Sequence, residues 1–173
     1  MRIIAGSRKA HTILAPRGAA TRPTSDRVRE NVFNILGPID GASVLDLYAG
    51  SGAMGLEALS RGAARAVFVE ADRDAVRAIE RNLDKLRLKA TVLERDAVGM
   101  LATERTKYDL VFVDPPYDMY TDLEPKLARY LPAVLADDGV VVLETDARTE
   151  PELPLEERTS RKYGQARVTV YGK

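Results

Sequence analysis

The sequence predicts an α/β fold: a single domain with a mostly parallel sheet covered by helices on both faces and an antiparallel hairpin at its carboxyl end. Three observations predict it. From Ser43 onward, short apolar strands alternate with helical patterns, which argues a parallel sheet between helical layers. The first strand runs into a glycine turn and then a helix, from Ser43 to Ser60, which is the opening of a nucleotide-binding α/β unit. The tail reads Arg158 to Tyr163, Gly164-Gln165, then Ala166 to Tyr171, which is hairpin spacing. At 173 residues one domain is the default, long enough to bury a sizeable core.

Taken in order, residues 1 to about 24 form a basic, β-rich arm, and the core runs from 25 to 173. The arm reads Arg2-Ile3-Ile4-Ala5, a Gly6-Ser7 break, then Thr12-Ile13-Leu14, with Pro16, Gly18 and Pro23 punctuating the rest. A helix starts near Ser25 or Asp26, both good N-caps. Val28, Val32, Ile35 and Leu36 share one face, Arg27, Asn31 and Asn34 the other, and Gly37-Pro38 ends the helix. Strands are expected at 43–47, 65–70, 90–94, 109–113 and 139–144. Helices are expected at about 53–60, 73–86 and 122–130, with a short one near 97–102.

Formal net charge is zero, so no global basic field announces a nucleic-acid partner. The distribution is uneven, however. Before Asn31 the chain carries Arg2, Arg8, Lys9, Arg17, Arg22, Arg27 and Arg29 against only Asp26 and Glu30. A basic arm on a neutral body suits a polyanion held at one end; the alternative is a solvated charge run. The absence of cysteine excludes disulfides, thiolate zinc sites and cysteine nucleophiles. A lone histidine, His11, leaves little for a metal site, and none is expected. No apolar signal core and no segment of membrane-spanning length is present, so a cytoplasmic protein without a membrane partner is expected.

The most informative feature is Asp114-Pro115-Pro116-Tyr117, directly after the apolar strand Leu110-Val111-Phe112-Val113. Each proline fixes its φ and lacks an N–H. The loop therefore offers acceptors, the Asp114 carboxylate and the Pro115 carbonyl, beside the aromatic face of Tyr117. An acceptor pair beside a stacking platform suits a planar ring with an exocyclic amine, a nucleobase or less often a side-chain amide.

The second feature is Tyr48-Ala49-Gly50-Ser51-Gly52-Ala53-Met54-Gly55. Gly50 and Gly52 allow a tight turn and close approach to a ligand. Residues 50–55 match G-x-G-x-x-G in full and Glu70 follows at about the expected distance, so a dinucleotide must be weighed against S-adenosylmethionine. Asp46, before the loop, would repel a pyrophosphate and favour a cation; S-adenosylmethionine carries a sulfonium and an ammonium. The dinucleotide reading also leaves residues 114–117 without a task. Taken alone, the glycine signal leaves the two cofactors level. Glu70, at a strand end, can accept both ribose hydroxyl protons in either site; its alternative is a solvated charge. Asp72 and Asp74 read as cap and first-turn residues. Asp96 is placed to accept from an adenine amine, with the Ala97 N–H facing the ring. Its alternative is a helix N-cap, and the two roles can coexist.

A strand leading into Asp46 and the glycine loop, then Glu70, Asp96 and Asp-Pro-Pro-Tyr, resembles the class I S-adenosylmethionine-dependent amino-methyltransferases. Two longer stretches are more specific: Arg22-Pro23-Thr24-Ser25-Asp26-Arg27-Val28-Arg29-Glu30-Asn31-Val32-Phe33-Asn34, and Leu45 to Ala63 around the glycine loop. Together they closely resemble the RsmD family, bacterial small-subunit ribosomal RNA guanine-N2 methyltransferases, over nearly the whole chain. Many relatives have Phe where this chain has Tyr117, and both rings can stack. The resemblance implies a seven-stranded Rossmann-like sheet with an N-terminal β-hairpin extension. It implies S-adenosyl-L-methionine as cofactor and one guanine of 16S rRNA as target, in an assembled or nearly assembled small ribosomal subunit. A monomer is expected. The candidate cofactor-binding residues are Asp46, Tyr48, Ala49, Gly50 and Gly52, then Glu70 and Ala71, Asp96 and Ala97, and Asp114. The candidate catalytic residues are Asp114, Pro115, Pro116 and Tyr117.

In that reaction Asp114 and the Pro115 carbonyl accept the two N–H groups of the guanine amine, freeing its lone pair, while Tyr117 holds the ring. In-line alignment of nitrogen, methyl and sulfur can supply roughly 7–11 kcal/mol. RNA affinity would come from phosphate contacts by Arg8, Lys9, Arg17, Arg22, Arg27 and Arg29, with Arg161 and Lys162 extending the surface. Arg22 or Arg27 could instead pin the arm through Glu30 or Asp26. The rival readings are a DNA adenine-N6 methyltransferase, for whose target-recognition region this compact chain has little room, and a protein-glutamine methyltransferase, which the basic arm disfavours. A non-catalytic RNA-binding assembly factor is a third, against which the set Asp46, Glu70, Asp96 and Asp114 argues. A dinucleotide oxidoreductase is the fourth.

Overall fold

The structure, a computed structural model, describes residues 1–17 and 24–173. In chain order its elements are α1 (Asp26–Leu36), β1 (Ser43–Leu47), α2 (Ala53–Ser60), β2 (Arg65–Glu70), α3 (Arg73–Leu86) and β3 (Thr91–Glu94). Then follow α4 (Ala97–Thr103), β4 (Tyr108–Val113), a single 3₁₀ turn (Tyr117–Met119), α5 (Tyr120–Val134), β5 (Leu135–Asp146), β6 (Glu156–Tyr163) and β7 (Ala166–Gly172). Seven strands form one sheet in the order β3-β2-β1-β4-β5-β7-β6. The first five in that order are parallel, while β7 runs antiparallel to both β5 and β6. The chain leaves β1 toward β2 and β3, then returns to β4 on the other side. Strand order reverses between β1 and β4, and in such sheets ligands sit at that switch, outside the carboxyl ends of the strands.

The period of two along each strand divides the core into two layers. Leu45, Leu47, Val111, Val113, Val141 and Leu143 face α4 and α5. Val44, Phe68, Leu110, Phe112 and Val142 face α1, α2 and α3. The strands between the layers are apolar almost throughout, as parallel strands buried on both faces must be. Asp46 is the exception on β1, and it is 3% exposed.

Local chemistry explains the helix starts. Ser25 caps α1 by accepting from Val28 N–H at 3.2 Å, and Asp72 caps α3 by accepting from Ala75 N–H at 3.2 Å. Two elements exceed their expected lengths. Helix α5 spans residues 120–134 despite Pro125 and Pro132, because Leu123, Leu127, Leu131 and Val134 form a continuous buried stripe. Strand β5 begins at Leu135 rather than 139; its pairing with β4 shifts register between Tyr108 and Leu110, and Asp138 takes a positive φ of 61°.

The N-terminal extension is a minimal hairpin. One isolated antiparallel bridge joins Arg2 to Thr12, and no strand forms among residues 1–17. The reason is where its donors go. The amides of Ile4 and Ala5 donate to the Glu57 carboxylate at 2.8 and 3.1 Å, and Ser7 N–H donates to the Ser60 carbonyl at 2.8 Å. Ser60 Oγ accepts from Arg8 N–H and donates to the Ala5 carbonyl. At Gly6 a Cβ would stand 1.9 Å from the Ser60 carbonyl oxygen, and φ is +86°, so only glycine lets the arm lie this close to α2. Ile3 and Ile13 then enter the core beside Phe33 and Leu56.

Candidate active site

Alternation and register bring three acids to one place. Asp46 pairs in register with Phe112 of β4, and Phe112 with Val142 of β5. Asp114 and Glu144 each stand one pleat further on, so all three project to the α1/α2 side at the carboxyl ends of adjacent strands. The Thr24 hydroxyl lies between two of them, 3.1 Å from Glu144 Oε2 and 3.4 Å from Asp114 Oδ2. The Tyr117 hydroxyl donates to Glu144 Oε1 at 2.7 Å. Below, Val32, Met54, Phe112, Val142 and Val168 complete a pocket lined by Thr24, Asp114 and Glu144. A wider cleft, lined by Tyr117, Asp118, Asp146, Arg148 and Thr149, opens beside it.

This environment tunes the acids. Burial pushes the Asp114 carboxyl well above the ordinary carboxylate range; the charges of Glu144 and then Asp46 push the same way, and the Thr24 hydrogen bond opposes them. Asp46 is pushed up to about 8 by burial, against the stabilising hydrogen bond from Gly55 N–H and with a further rise from Glu70. A buried acid of this kind gains from a cation beside it, which is the polarity that a sulfonium or ammonium brings.

The glycine loop is built around Asp46. Its Oδ2 accepts from Gly55 N–H at 2.9 Å, and a Cβ at Gly55 would lie 2.4 Å from the Phe68 ring. Residue 55 must therefore be glycine for α2 to start against the sheet. Tyr48 adopts φ 55°, in the left-handed region that costs a bulky residue energy. Burial and then the charge of Asp96 raise its phenol to about 12. Glu70 accepts from Gly50 N–H at 2.8 Å and from Asp72 N–H at 3.1 Å, so it fixes the loop and keeps lone pairs for a diol. Asp96 is the N-cap of α4, with Oδ2 accepting from Gly99 N–H at 2.8 Å. Its exposed second oxygen is placed for an amine. Ala97 is buried beneath it, while Ala71 is exposed next to Glu70.

In the Asp-Pro-Pro-Tyr loop, Pro115 is buried and Pro116 exposed. The Pro116 carbonyl accepts from Met119 N–H at 3.1 Å, which starts the 3₁₀ turn that carries Tyr117. Tyr117 is half-buried and tethered through its hydroxyl.

Part of the basic arm is taken up by structural contacts. Arg29 is fully buried and cannot meet RNA. Its Nε pairs with Glu57 at 3.3 Å, while Nη2 pairs with Asp26 at 2.9 Å and donates to the Arg2 carbonyl. Glu57, itself fully buried, also pairs with Arg61 at 2.9 Å. Asp26 thus serves Arg29, and among the described residues no pair joins it to Arg27. The Arg8 guanidinium donates to the Leu86 carbonyl at 2.5 Å and the Arg87 carbonyl at 3.3 Å. It caps the end of α3, where the last carbonyls lack partners. Lys9, Arg17 and Arg27 are exposed, as are Arg161 and Lys162; Arg22 lies outside the described residues.

Two site residues carry little signal in the sequence. Glu144 reads only as the end of a strand, although the alternation Val140, Val142, Glu144 gives its face. Thr24 stands out only as part of a longer motif. Among the described residues no cluster of histidine and acidic side chains could hold a metal ion, and no helix is long and apolar enough to cross a membrane.

Comparison with known proteins agrees with this geometry. The family described as conserved hypothetical protein 95 matches residues 1–172. Ribosomal RNA small subunit methyltransferase D of Escherichia coli (strain K12) is 45% identical over 119 residues, a match that spans 68% of this chain and 60% of that protein. The solved structure of yhhF from Escherichia coli superposes with a TM-score of 0.86 at 34% identity, covering 100% of this chain and 97% of that one. The Thermus thermophilus 16S rRNA N2 G1207 methyltransferase RsmC, solved with AdoMet and guanosine, gives a TM-score of 0.70 at 27% identity. That likeness covers 91% of this chain and 44% of that one. A full-length family match, a class I methyltransferase sheet and an acidic cleft at its strand switch agree: this chain belongs to the RsmD family of methyltransferases.

Proposed function

We propose that this protein transfers a methyl group from S-adenosylmethionine to the exocyclic N2 amine of a guanine in 16S rRNA. The observation that carries the proposal is the placement of Asp114, in the Asp-Pro-Pro-Tyr loop, across the β1/β4 switch from the glycine loop. The names of the Escherichia coli and Thermus thermophilus proteins support rRNA as substrate, and the second supports the N2 position.

The residues fit the cofactor. Asp46 supplies a buried acid under the glycine loop that a cation beside it would ionise, Glu70 can take the ribose hydroxyls, and the outer oxygen of Asp96 can take the adenine amine. When bound, the cofactor supplies an electrophilic methyl on a sulfonium. Asp114 and the Pro115 carbonyl accept from the guanine amine and localise its lone pair. As the new N–C bond forms and the S–C bond breaks, the nitrogen becomes cationic and its proton acidic. Asp114, its basicity raised by its surroundings, takes that proton or passes it to water. Tyr117, tethered to Glu144, lies flat against the extruded base. Lys9, Arg17 and Arg27 are the exposed cations of the arm side that would meet phosphates. We place the reaction on an assembled or nearly assembled small subunit in the cytoplasm, carried out by a monomer.

The test is to offer methyl-labelled S-adenosylmethionine and the protein with unmethylated small subunits, naked rRNA and adenine-containing DNA in parallel, then identify the labelled nucleoside. N2-methylguanosine from the subunits is expected. N6-methyladenine from DNA, or no transfer despite cofactor binding, would refute the proposal.

A further inference from the structure

We infer that Glu144 is the specificity-determining residue that selects guanine, by accepting a hydrogen bond from N1–H while Asp114 accepts from the neighbouring amine. The inference rests on the proposed guanine-N2 reaction and assigns to Glu144 a role that the reaction itself does not require.

Three observations carry it. Asp114 directly follows β4 and Glu144 stands beside it on the adjacent parallel strand β5, one residue past the paired Val113 and Leu143, and both lie within hydrogen-bond reach of the single Thr24 hydroxyl. Any base whose amine reaches Asp114 therefore presents the next atom of its Watson–Crick edge to Glu144. Second, Glu144 is held from both ends, with Tyr117 on one oxygen and Thr24 on the other. Among the described residues each oxygen has one donor and keeps acceptor capacity, so the carboxylate is oriented without being satisfied. Third, among the described residues the two carboxylates have only the Thr24 and Tyr117 hydroxyls as hydrogen-bond donors, over an apolar floor of Val32, Phe112 and Val142. Such a pair is repulsive until an incoming group brings N–H donors.

Guanine brings them: its 2-amino group and its N1–H lie next to each other and both donate. Adenine, turned so that its amine meets Asp114, presents the N1 lone pair to the second carboxylate. The same pair that welcomes guanine thus rejects adenine, and it does so through repulsion as well as through a missing hydrogen bond. The Tyr117 bond also links base stacking to edge reading, since the ring that covers the base orients the carboxylate that reads it.

The test compares guanine with 2-aminopurine, which keeps the 2-amino group but has a lone pair at N1. Small subunits are reconstituted with either base at the guanine mapped by the labelling experiment, and kcat/KM for N2 methylation is measured. The parent should prefer guanine by about 10- to 100-fold, the range for one charge-assisted hydrogen bond. In Glu144→Gln the amide can turn its NH2 toward the N1 lone pair, so the preference should collapse to about unity or reverse. Thermal melting and cofactor affinity verify that the variant is folded. Equal rates on the two bases by the parent would overturn the inference whether or not the variant folds. A preference that persists unchanged in folded Glu144→Gln would also overturn it, while leaving guanine-N2 methylation standing. Failure of the parent to methylate guanine in the subunits at all would instead remove the underlying reaction, and the inference with it.

Discussion

Asp114 can take up a proton only as a carboxylate, and burial with Glu144 nearby holds its carboxyl above the usual range. The single-turnover rate should therefore rise with pH through a limb lying above the ordinary carboxylate range. Glu144→Gln removes the second cause of the shift, so the limb should move to lower pH even as base preference is lost; a rate profile of the two proteins checks both. At Asp46 the consequence is for stability. Its carboxyl stands at about 8 in the fold against 3.8 in a free chain. The folded state thus prefers the protonated form, and the favourable contribution, complete below about 4, is lost as pH rises toward 8. Melting temperatures of the cofactor-free protein should show this loss, and Asp46→Asn, which keeps an oxygen for Gly55 N–H, should flatten it. The same substitution should weaken S-adenosylmethionine binding, because the cation loses its counter-charge; unchanged affinity would deny Asp46 that role.

The arm and helix α2 behave as one element because of Glu57. Its fully buried carboxylate accepts from two arm amides, from the fully buried Arg29 and from the partly buried Arg61. Glu57→Ala would leave the buried Arg29 with Asp26 alone as its acid and remove the acceptor of both arm amides, at a cost of about 3–5 kcal/mol measurable by denaturant unfolding. Asn82 ties the same arm to the cofactor loop: its amide holds both main-chain groups of Leu14 and donates to the Ser51 carbonyl at 3.0 Å. Asn82→Ala should lower stability by about 1–3 kcal/mol and loosen cofactor binding together. Much of this organisation is legible in the sequence. Strand and helix positions follow from period, and the glycine loop and Asp-Pro-Pro-Tyr from the order of residue types. The fate of Arg29 is partly legible, since it lies four residues before the buried Phe33 on α1. Its charge invites a surface reading, because the fully buried acid that pairs with it, Glu57, is 28 residues away on another helix. Glu144 is hidden for a related reason: a lone acid at a strand end acquires meaning only through its register with the neighbouring strand.

For the molecule as a whole, charge serves two ends. Buried cations such as Arg29 fasten the arm, and exposed ones, Lys9, Arg17 and Arg27, are left for a polyanion. Neutralising these three should weaken subunit binding without altering cofactor affinity. It should also reduce the slope of log K against log salt by about 0.7–0.9 for each phosphate that is no longer neutralised. An unchanged slope would move the RNA interface elsewhere, with Arg161 and Lys162 the next candidates. Point substitutions are the right probe, because the arm is built into the core and its deletion would disturb the fold itself. Whether an acceptor at position 114 activates the guanine amine is decided by single-turnover methyl transfer to small subunits by the parent, Asp114→Asn and Asp114→Ala, with cofactor affinity measured on each. If residue 114 acts as that acceptor, Asp114→Asn, which keeps an acceptor oxygen, should lose about 10- to 100-fold, and Asp114→Ala about 10³-fold or more while still binding the cofactor. Transfer by Asp114→Ala at the parent's rate would contradict that role.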